Sequence, residues 1–402
     1  MENNNTPEIR FPGYRGDWEE RKIGEFLTES RISGTNGLKA KKLTVKLWGK
    51  GVVPKEEIYQ GSEETKYYIR KAGQFIYGKL DFLHQAFGII PNNLDGYEST
   101  LDSPAFDIAE NLNSYFFLEY VSRKQFYLYQ GTIANGSRKA KRIHSDTFFN
   151  MPLIMPSVEE QTDIGTFFKK IDDTIALHQQ ELTTLKQTKQ GFFQKMFPKE
   201  GESIPEVRFP GFTGEWEERK VKDFSEETFG GGTPKTSIKE YWNGEIPWIQ
   251  SSDLEEHQVS SIFAKKKITE KGLQNSATKL IPKNSIAIVT RVGVGKIALI
   301  QFEYATSQDF LSLSNLKVNE WFGVYSLYNQ LQKELHNVQG TSIKGITKNE
   351  LLEKKINIPT DLKEQIKIGN FFKKLDNTIA LHQRELDALK ETKKAFLQKM
   401  FV

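Results

Sequence analysis

Apolar residues between positions 157 and 197 recur four and three apart, at Ile164, Phe168, Ile171, Ile175, Leu182, Leu185, Phe192 and Met196. His178 and Lys189 fill the two positions that the pattern skips. The stretch 361–402 repeats the pattern at Ile368, Phe372, Leu375, Ile379, Leu386, Leu389, Phe396 and Met400, with His382 and Lys393 in the gaps. This alternation is the narrow seam of a coiled coil rather than the broad apolar face of a globular helix. Each stretch therefore predicts one long helix, and roughly 40 residues make a rod near 60 Å long. Two such rods in one chain most simply bury their seams against each other; association with a second molecule is the alternative. Both carry an N-terminal capping signature, Ser157 with Glu160 and Asp361 with Glu364, in which cap oxygen and acid are expected to satisfy free N–H groups reciprocally.

Upstream of each rod the pattern changes to short β-type runs. In the first half these are Leu43 to Leu47, Tyr67 to Ile69, Gln74 to Tyr77 and Phe87 to Ile90, followed by an expected helix from about Phe106 to Tyr129. In the second half they are Ile246 to Ile249, Ser285 to Thr290, Lys296 to Ile300 and Phe310 to Leu316, followed by an expected helix from Trp321 to Val338. Gly136-Ser137 and Gly340-Thr341 then stand at matching places before the rods.

A third repeated element opens each half. Pro7-Glu-Ile-Arg-Phe-Pro-Gly through Trp18 to Ile23 returns as Pro205-Glu-Val-Arg-Phe-Pro-Gly through Trp216 to Val221. It reads as a repeated linker whose tryptophans are packing anchors. The chain is one unit of segment, globular domain and rod used twice, a period far beyond that of a solenoid. The division expected is 1–156, first domain with its opening segment; 157–197, first rod; 198–221, linker and repeated segment; 222–360, second domain; 361–402, second rod. The shared parts are nearly identical while the globular parts differ strongly, which points to two different targets presented by one framework.

Composition narrows the function. The 402 residues, 37% hydrophobic, allow more than one core, and 56 basic against 52 acidic residues leave a net charge of +4 that neither demands nor excludes a polyanion. Zero cysteines exclude disulfides, zinc fingers and cysteine nucleophiles. The polar N-terminus lacks the layout of a signal peptide, and no apolar run approaches a membrane span, so a soluble protein with no membrane partner is expected. The six histidines are scattered, without the spacing of a metal site, and no metal is expected. Arg291-Val-Gly-Val-Gly-Lys-Ile lacks the full phosphate-loop pattern and reads as a hairpin turn, and Gly230-Gly-Gly-Thr-Pro234 reads as a loop. With no methyl-donor loop or adenine pocket either, no catalytic residue is assigned and the chain is expected not to be an enzyme.

Basic clusters among aromatic residues are the remaining signal. In the first half they are Lys39, Lys41 and Lys42; Lys46 and Lys50; and Arg138, Lys139, Lys141 and Arg142. In the second they are Lys235, Thr236 and Ser237; Lys265 and Lys266; Arg291; and Lys344. Positive charge suits phosphates, and Lys, Arg, Ser and Thr suit base edges, so these are the candidate DNA-binding residues.

The rod openings, Glu160-Gln161 through Phe167-Phe168 to Asp172 and Glu364-Gln365 through Phe371-Phe372 to Asp376, stand just past Pro156 and Pro359. With the second-half run Gly232-Thr-Pro to Tyr241-Trp-Asn-Gly-Glu-Ile-Pro-Trp248, they resemble the specificity subunits of type I restriction-modification systems over essentially the whole chain. The first half lacks the Gly-Thr-Pro opening. The resemblance implies a mixed α/β (α+β) fold with a pseudo-twofold internal repeat, in which two target-recognition domains are held apart by two antiparallel coiled-coil helices. It implies a cytoplasmic bacterial protein that reads a split site in double-stranded DNA. The implied partners are two methyltransferase subunits and translocating restriction subunits, which would carry S-adenosylmethionine, ATP and Mg, leaving no cofactor in this chain. A non-DNA adaptor, with two ligand-binding domains on a coiled-coil spacer, is the alternative reading.

Overall fold

The computed structural model describes residues 5–56, 62–133, 142–260, 262–337 and 345–402. The expected residues Gly136, Ser137, Arg138, Lys139, Lys141, Val338, Gly340, Thr341 and Lys344 lie outside them. The chain forms two compact units: residues 1–179 with 385–402, and residues 180–384. Each contains one globular domain, half of its own rod and half of the other.

The rods are continuous helices, Val158–Met196 and Leu362–Lys399. Within the first unit, Phe167 meets Phe396 edge-on at 5.0 Å and Asp172 meets Lys393, so the two helix segments run antiparallel. Within the second, Phe192 meets Phe371 at 4.9 Å and Lys189 meets Asp376, again antiparallel.

The expected seam is unevenly covered. Ile164 and Phe168 are buried in the first unit's core, and Ile368 and Phe372 in the second's. Leu182 and Leu386 are buried at mid-rod, while Ile171, Ile175, Leu185, Leu375, Ile379 and Leu389 are only half-covered. Phe193, outside the expected seam, is more deeply buried than Phe192 and stacks on Phe372 at 4.2 Å. Each rod also ends in a core: Met196 and Phe197 in the second unit, Met400 and Phe401 in the first.

The globular parts share a topology. In the first unit a four-stranded antiparallel sheet takes the order Leu27–Ser30, Ala105–Ile108, Phe75–Tyr77, Phe87–Ile89. In the second, Ser225–Gly230, Phe310–Leu316, Ser285–Val289 and Ile297–Ile300 take the same order. A two-stranded ribbon joins the opening segment to the strand before each rod, Glu19–Lys22 with Pro152–Met155 and Glu217–Lys220 with Lys355–Ile358.

Two expectations need correction. The helix expected from Phe106 begins as the strand Ala105–Ile108; helices follow only at Ser114–Ser122 and Lys124–Ile133. Asn113 starts the first of these by accepting the N–H groups of Tyr115 and Phe116, and the extended backbone at Arg123 separates the two. In the second half the expected helix forms as Glu320–Asn337. The reciprocal caps are also only half-formed. Ser157 Oγ accepts the Glu160 N–H at 3.4 Å and Asp361 accepts that of Lys363 at 2.8 Å, but both glutamate carboxylates are engaged elsewhere.

Candidate nucleic-acid interface

The repeated opening segment is not a linker; it ties each unit to both rods. Arg10 donates from Nε and Nη2 to the two oxygens of Glu160, at 2.6 and 2.7 Å, and Arg208 grips Glu364 at the same distances. This fork is why the glutamates leave their caps, and the ion pair holds both arginines above their usual pKa. One residue earlier, the Ile9 N–H donates to the Lys399 carbonyl at 2.9 Å and the Val207 N–H to the Lys195 carbonyl at 2.8 Å. These carbonyls lie in the last turn of a rod, where no intrahelical donor remains. Phe11 and Phe209 then pack edge-on against Phe167 and Phe371. Trp18 and Trp216 are buried in the two cores, as packing anchors should be.

The Gln and Gly of each rod opening position the globular helix beside it. Gln161 accepts the Asn113 N–H at 3.0 Å and donates to the Pro156 carbonyl; Gln365 accepts the Asn319 N–H at 2.9 Å and donates to that of Pro359. A Cβ on Gly165 would lie 2.4 Å from the Asn113 side-chain oxygen and 3.0 Å from the Phe116 nitrogen. One on Gly369 would lie 2.7 Å from the Phe322 nitrogen. The repeated motif is thus a docking joint between rod and domain.

Beyond the joint the units diverge. Lys393 in the first unit donates to Asp172 at 2.7 and 2.8 Å and to Glu119 at 2.7 Å. Burial pushes the Glu119 carboxyl up to about 7 against the pull of Lys393. One negative charge on the more exposed Asp172 suffices to balance Lys393, so Glu119 keeps a proton more readily than an ordinary acid. At the matching helix position the second unit has Tyr325, whose hydroxyl donates to Asp376 at 2.7 Å beside Lys189. Burial is the main cause that raises this phenol's pKa.

The exposed surface above these joints carries the candidate residues. In the first unit Lys39, Lys41, Lys46 and Lys50 are exposed, and Arg142 is exposed beside Asp102 at 3.3 Å. Lys42 departs from the expectation: it is 6% exposed, its ammonium 5.6 Å from the centre of the Tyr67 ring, so it cannot face a ligand as placed. Sequence reading did not assign the cleft of about 1080 Å³ that opens between the turn 46–51, the helix start at Lys124 and the end of the second rod. Lys50, Lys124, Lys390, Lys393 and Lys394 line it against Glu119 and Asp172, which leaves it electropositive.

In the second unit the loop carrying Lys235, Thr236 and Ser237 is held by two indoles. Trp248 Nε1 donates to the Gly232 carbonyl at 3.0 Å and Trp242 Nε1 to that of Lys235 at 3.3 Å. Gly231 must lack a side chain, since a Cβ there would stand 1.9 Å from the Ser307 carbonyl. Thr233 donates to Gln308 at 2.6 Å, which brings the turn at 307–309 alongside. Thr290 donates to the Asp309 carbonyl at 3.0 Å, placing the exposed Arg291 next in the same row. Arg291 begins a hairpin turn with Gly293 and Gly295 at positive φ, as expected. Lys265 donates to the Ser252 carbonyl at 3.1 Å, and Lys266 stands 5.8 and 5.7 Å from the ring centres of Trp242 and Trp248. The structure therefore gathers the second unit's described candidates on neighbouring turns, with Lys266 opening the strand Lys266–Ile268.

The model of the type I restriction modification DNA specificity domain matches the chain twice, over residues 15–187 and 213–391. The chain belongs to this family. Each match covers one globular domain and most of the rod that follows it. Among curated relatives, the specificity subunit of type I restriction enzyme MjaIX from Methanocaldococcus jannaschii is 29% identical over 195 residues, 47% of this chain and 44% of the relative. The specificity subunit of EcoR124I/EcoR124II from Escherichia coli is 33% identical over 156 residues, 37% of this chain and 38% of the relative. These alignments span less than half of either relative. The crystal structure of a type I restriction-modification S subunit from M. genitalium superposes with a TM-score of 0.63 at 12% identity, covering 99% of both chains, and supports the fold. Among the described residues no helix is long and apolar enough to cross a membrane.

Proposed function

We propose that this chain is the DNA-specificity subunit of a type I restriction-modification complex, reading a bipartite duplex site with two different recognition domains. The observation that carries the reading is the contrast between halves: joints, rods and sheet order repeat, while the turns bearing exposed cations differ. A framework kept constant under two unlike faces suits one assembly addressing two unlike half-sites. The family membership argues against the non-DNA adaptor, which would need no such pairing of a fixed joint with basic turns.

In this reading the chain is non-catalytic. Methylation and cleavage belong to two methyltransferase subunits and to restriction subunits, which supply S-adenosylmethionine, ATP and Mg. The partners act in the cytoplasm on an adenine flipped from the stack. The test is a map of N6-methyladenine across the host genome with and without this chain. A split motif with one adenine in each half, lost on deletion, supports the proposal; a map unchanged by deletion, with a methyltransferase subunit that fails to co-purify, overturns it.

A further inference from the structure

The turn Lys46-Leu-Trp-Gly-Lys-Gly51 carries an aromatic side chain in an unusual setting. Trp48 is 57% exposed, whereas Trp18, Trp216, Trp248 and Trp321 are buried and Trp242 is half-covered. Its backbone is left-handed, φ 61°, a conformation that a bulky residue adopts only under constraint. The constraint is visible. The Trp48 N–H donates to the His84 carbonyl at 2.8 Å, the Gly49 N–H to the Gln85 carbonyl at 3.0 Å, and the Lys46 N–H to the Gly51 carbonyl at 2.8 Å. Gln85 is itself fixed, donating to the Ser122 carbonyl at 2.9 Å. The indole meets the His84 ring edge-to-face at 5.4 Å and keeps most of its surface open.

Such strain tends to collect at sites that hold a side chain ready for a ligand. Here the surroundings name the ligand's chemistry: exposed Lys46 and Lys50 stand two residues to either side of Trp48 on the same turn, and Trp48 stands on the rim of the cleft that carries Lys124, Lys390 and Lys394. A flat aromatic between cations suits a polyanion with apolar, stackable faces. We propose that Trp48 is the aromatic contact of the first recognition domain, packing into a groove of bound duplex DNA while Lys46 and Lys50 hold the phosphates on either side.

This inference rests on the DNA-binding reading, and the test separates the two. The full chain is titrated with a duplex bearing the motif from the methylation map, at several salt concentrations, following affinity and indole emission. Trp48→Ala should weaken binding about ten-fold or more with an unchanged salt slope, because an uncharged ring packed in the groove releases no counterion. Trp48→Phe should bind nearly as the parent does but lose most of the emission change. Lys46→Ala and Lys50→Ala should each lower the slope by about one. If the parent chain binds DNA while Trp48→Ala matches its affinity and the parent's emission stays constant, the inference fails and the DNA reading stands. If the parent chain shows no salt-dependent binding, both fall. A Trp48→Ala variant that loses a methyltransferase subunit but not DNA would also overturn the assignment.

Discussion

The Arg10 guanidinium and the Glu160 carboxylate form a two-pronged pair across 150 residues of chain, with Glu160 only 1% exposed. Removing the arginine strands a buried charge, so Arg10→Ala should cost about 3 kcal/mol in urea unfolding. Arg10→Ala combined with Glu160→Gln should recover part of that loss. A double variant as unstable as the sum of the two single variants would show that the pair is not coupled.

Two glycines of the first rod make opposite predictions. Gly191 has nothing within 4 Å of a would-be Cβ, so Gly191→Ala should stabilise the protein by about 1 kcal/mol through helix propensity alone. Gly165→Ala has the same propensity gain but drives its methyl into the capping side chain of Asn113 and toward the Phe116 backbone. It should destabilise, and thermal unfolding of both variants measures the contrast. A rise in Tm for Gly165→Ala would mean that the joint has slack.

The rods were legible because period is a local property that survives without knowledge of partners. The joints were not. Arg10 and Glu160 look like an exposed base and a capping acid until the fold brings them together. The strand at Ala105–Ile108 was missed because the residues that join it to the helix begun by Asn113, Ala109-Glu-Asn-Leu112, include no Gly or Pro to mark the break. Among the basic candidates, sequence separates neither exposed Lys41 from buried Lys42 nor the ordinary turn from the one that strains Trp48, since burial and backbone angle are set by tertiary contacts. Lys390 and Lys394, which line a cleft, carry no signal in the sequence that sets them apart from other rod positions.

Glu119 makes the first unit's stability depend on pH in a stated direction. Its folded pKa, about 7, lies above the usual carboxylate value, so the native state holds this proton longer than the unfolded chain does. The stabilisation is complete below about pH 4.5 and is lost as the pH rises through about 7. Glu119→Gln cannot ionise. The stability difference between Glu119→Gln and the parent should therefore shift in favour of the variant by on the order of 1–3 kcal/mol between pH 5 and pH 8. Urea unfolding at intervals across that range measures it, and a flat difference would show that Lys393 keeps Glu119 ionised throughout.

Arg291, Lys265 and Lys42 test whether exposure separates ligand contacts from framework among residues that look alike in sequence. Arg291 and Lys265 are exposed on neighbouring turns of the second unit, while Lys42 is buried over Tyr67 in the first. A lysine or arginine at a phosphate releases counterions on binding, so its loss weakens affinity and lowers the salt slope by about one. Arg291→Ala and Lys265→Ala should each do both. Arg291→Ala should leave Tm within about 1 °C, since an exposed substitution costs little stability. Lys265 stands 3.9 Å from the buried Asp253 carboxylate, and its loss should also lower Tm. Lys42→Ala should do the reverse, lowering Tm with the salt slope unchanged, because its charge is already spent inside the domain. Affinity for duplex DNA from 50 mM to 200 mM salt, paired with thermal unfolding, distinguishes the two patterns. If Lys42→Ala changes the slope and Arg291→Ala does not, exposure does not separate ligand contacts from framework.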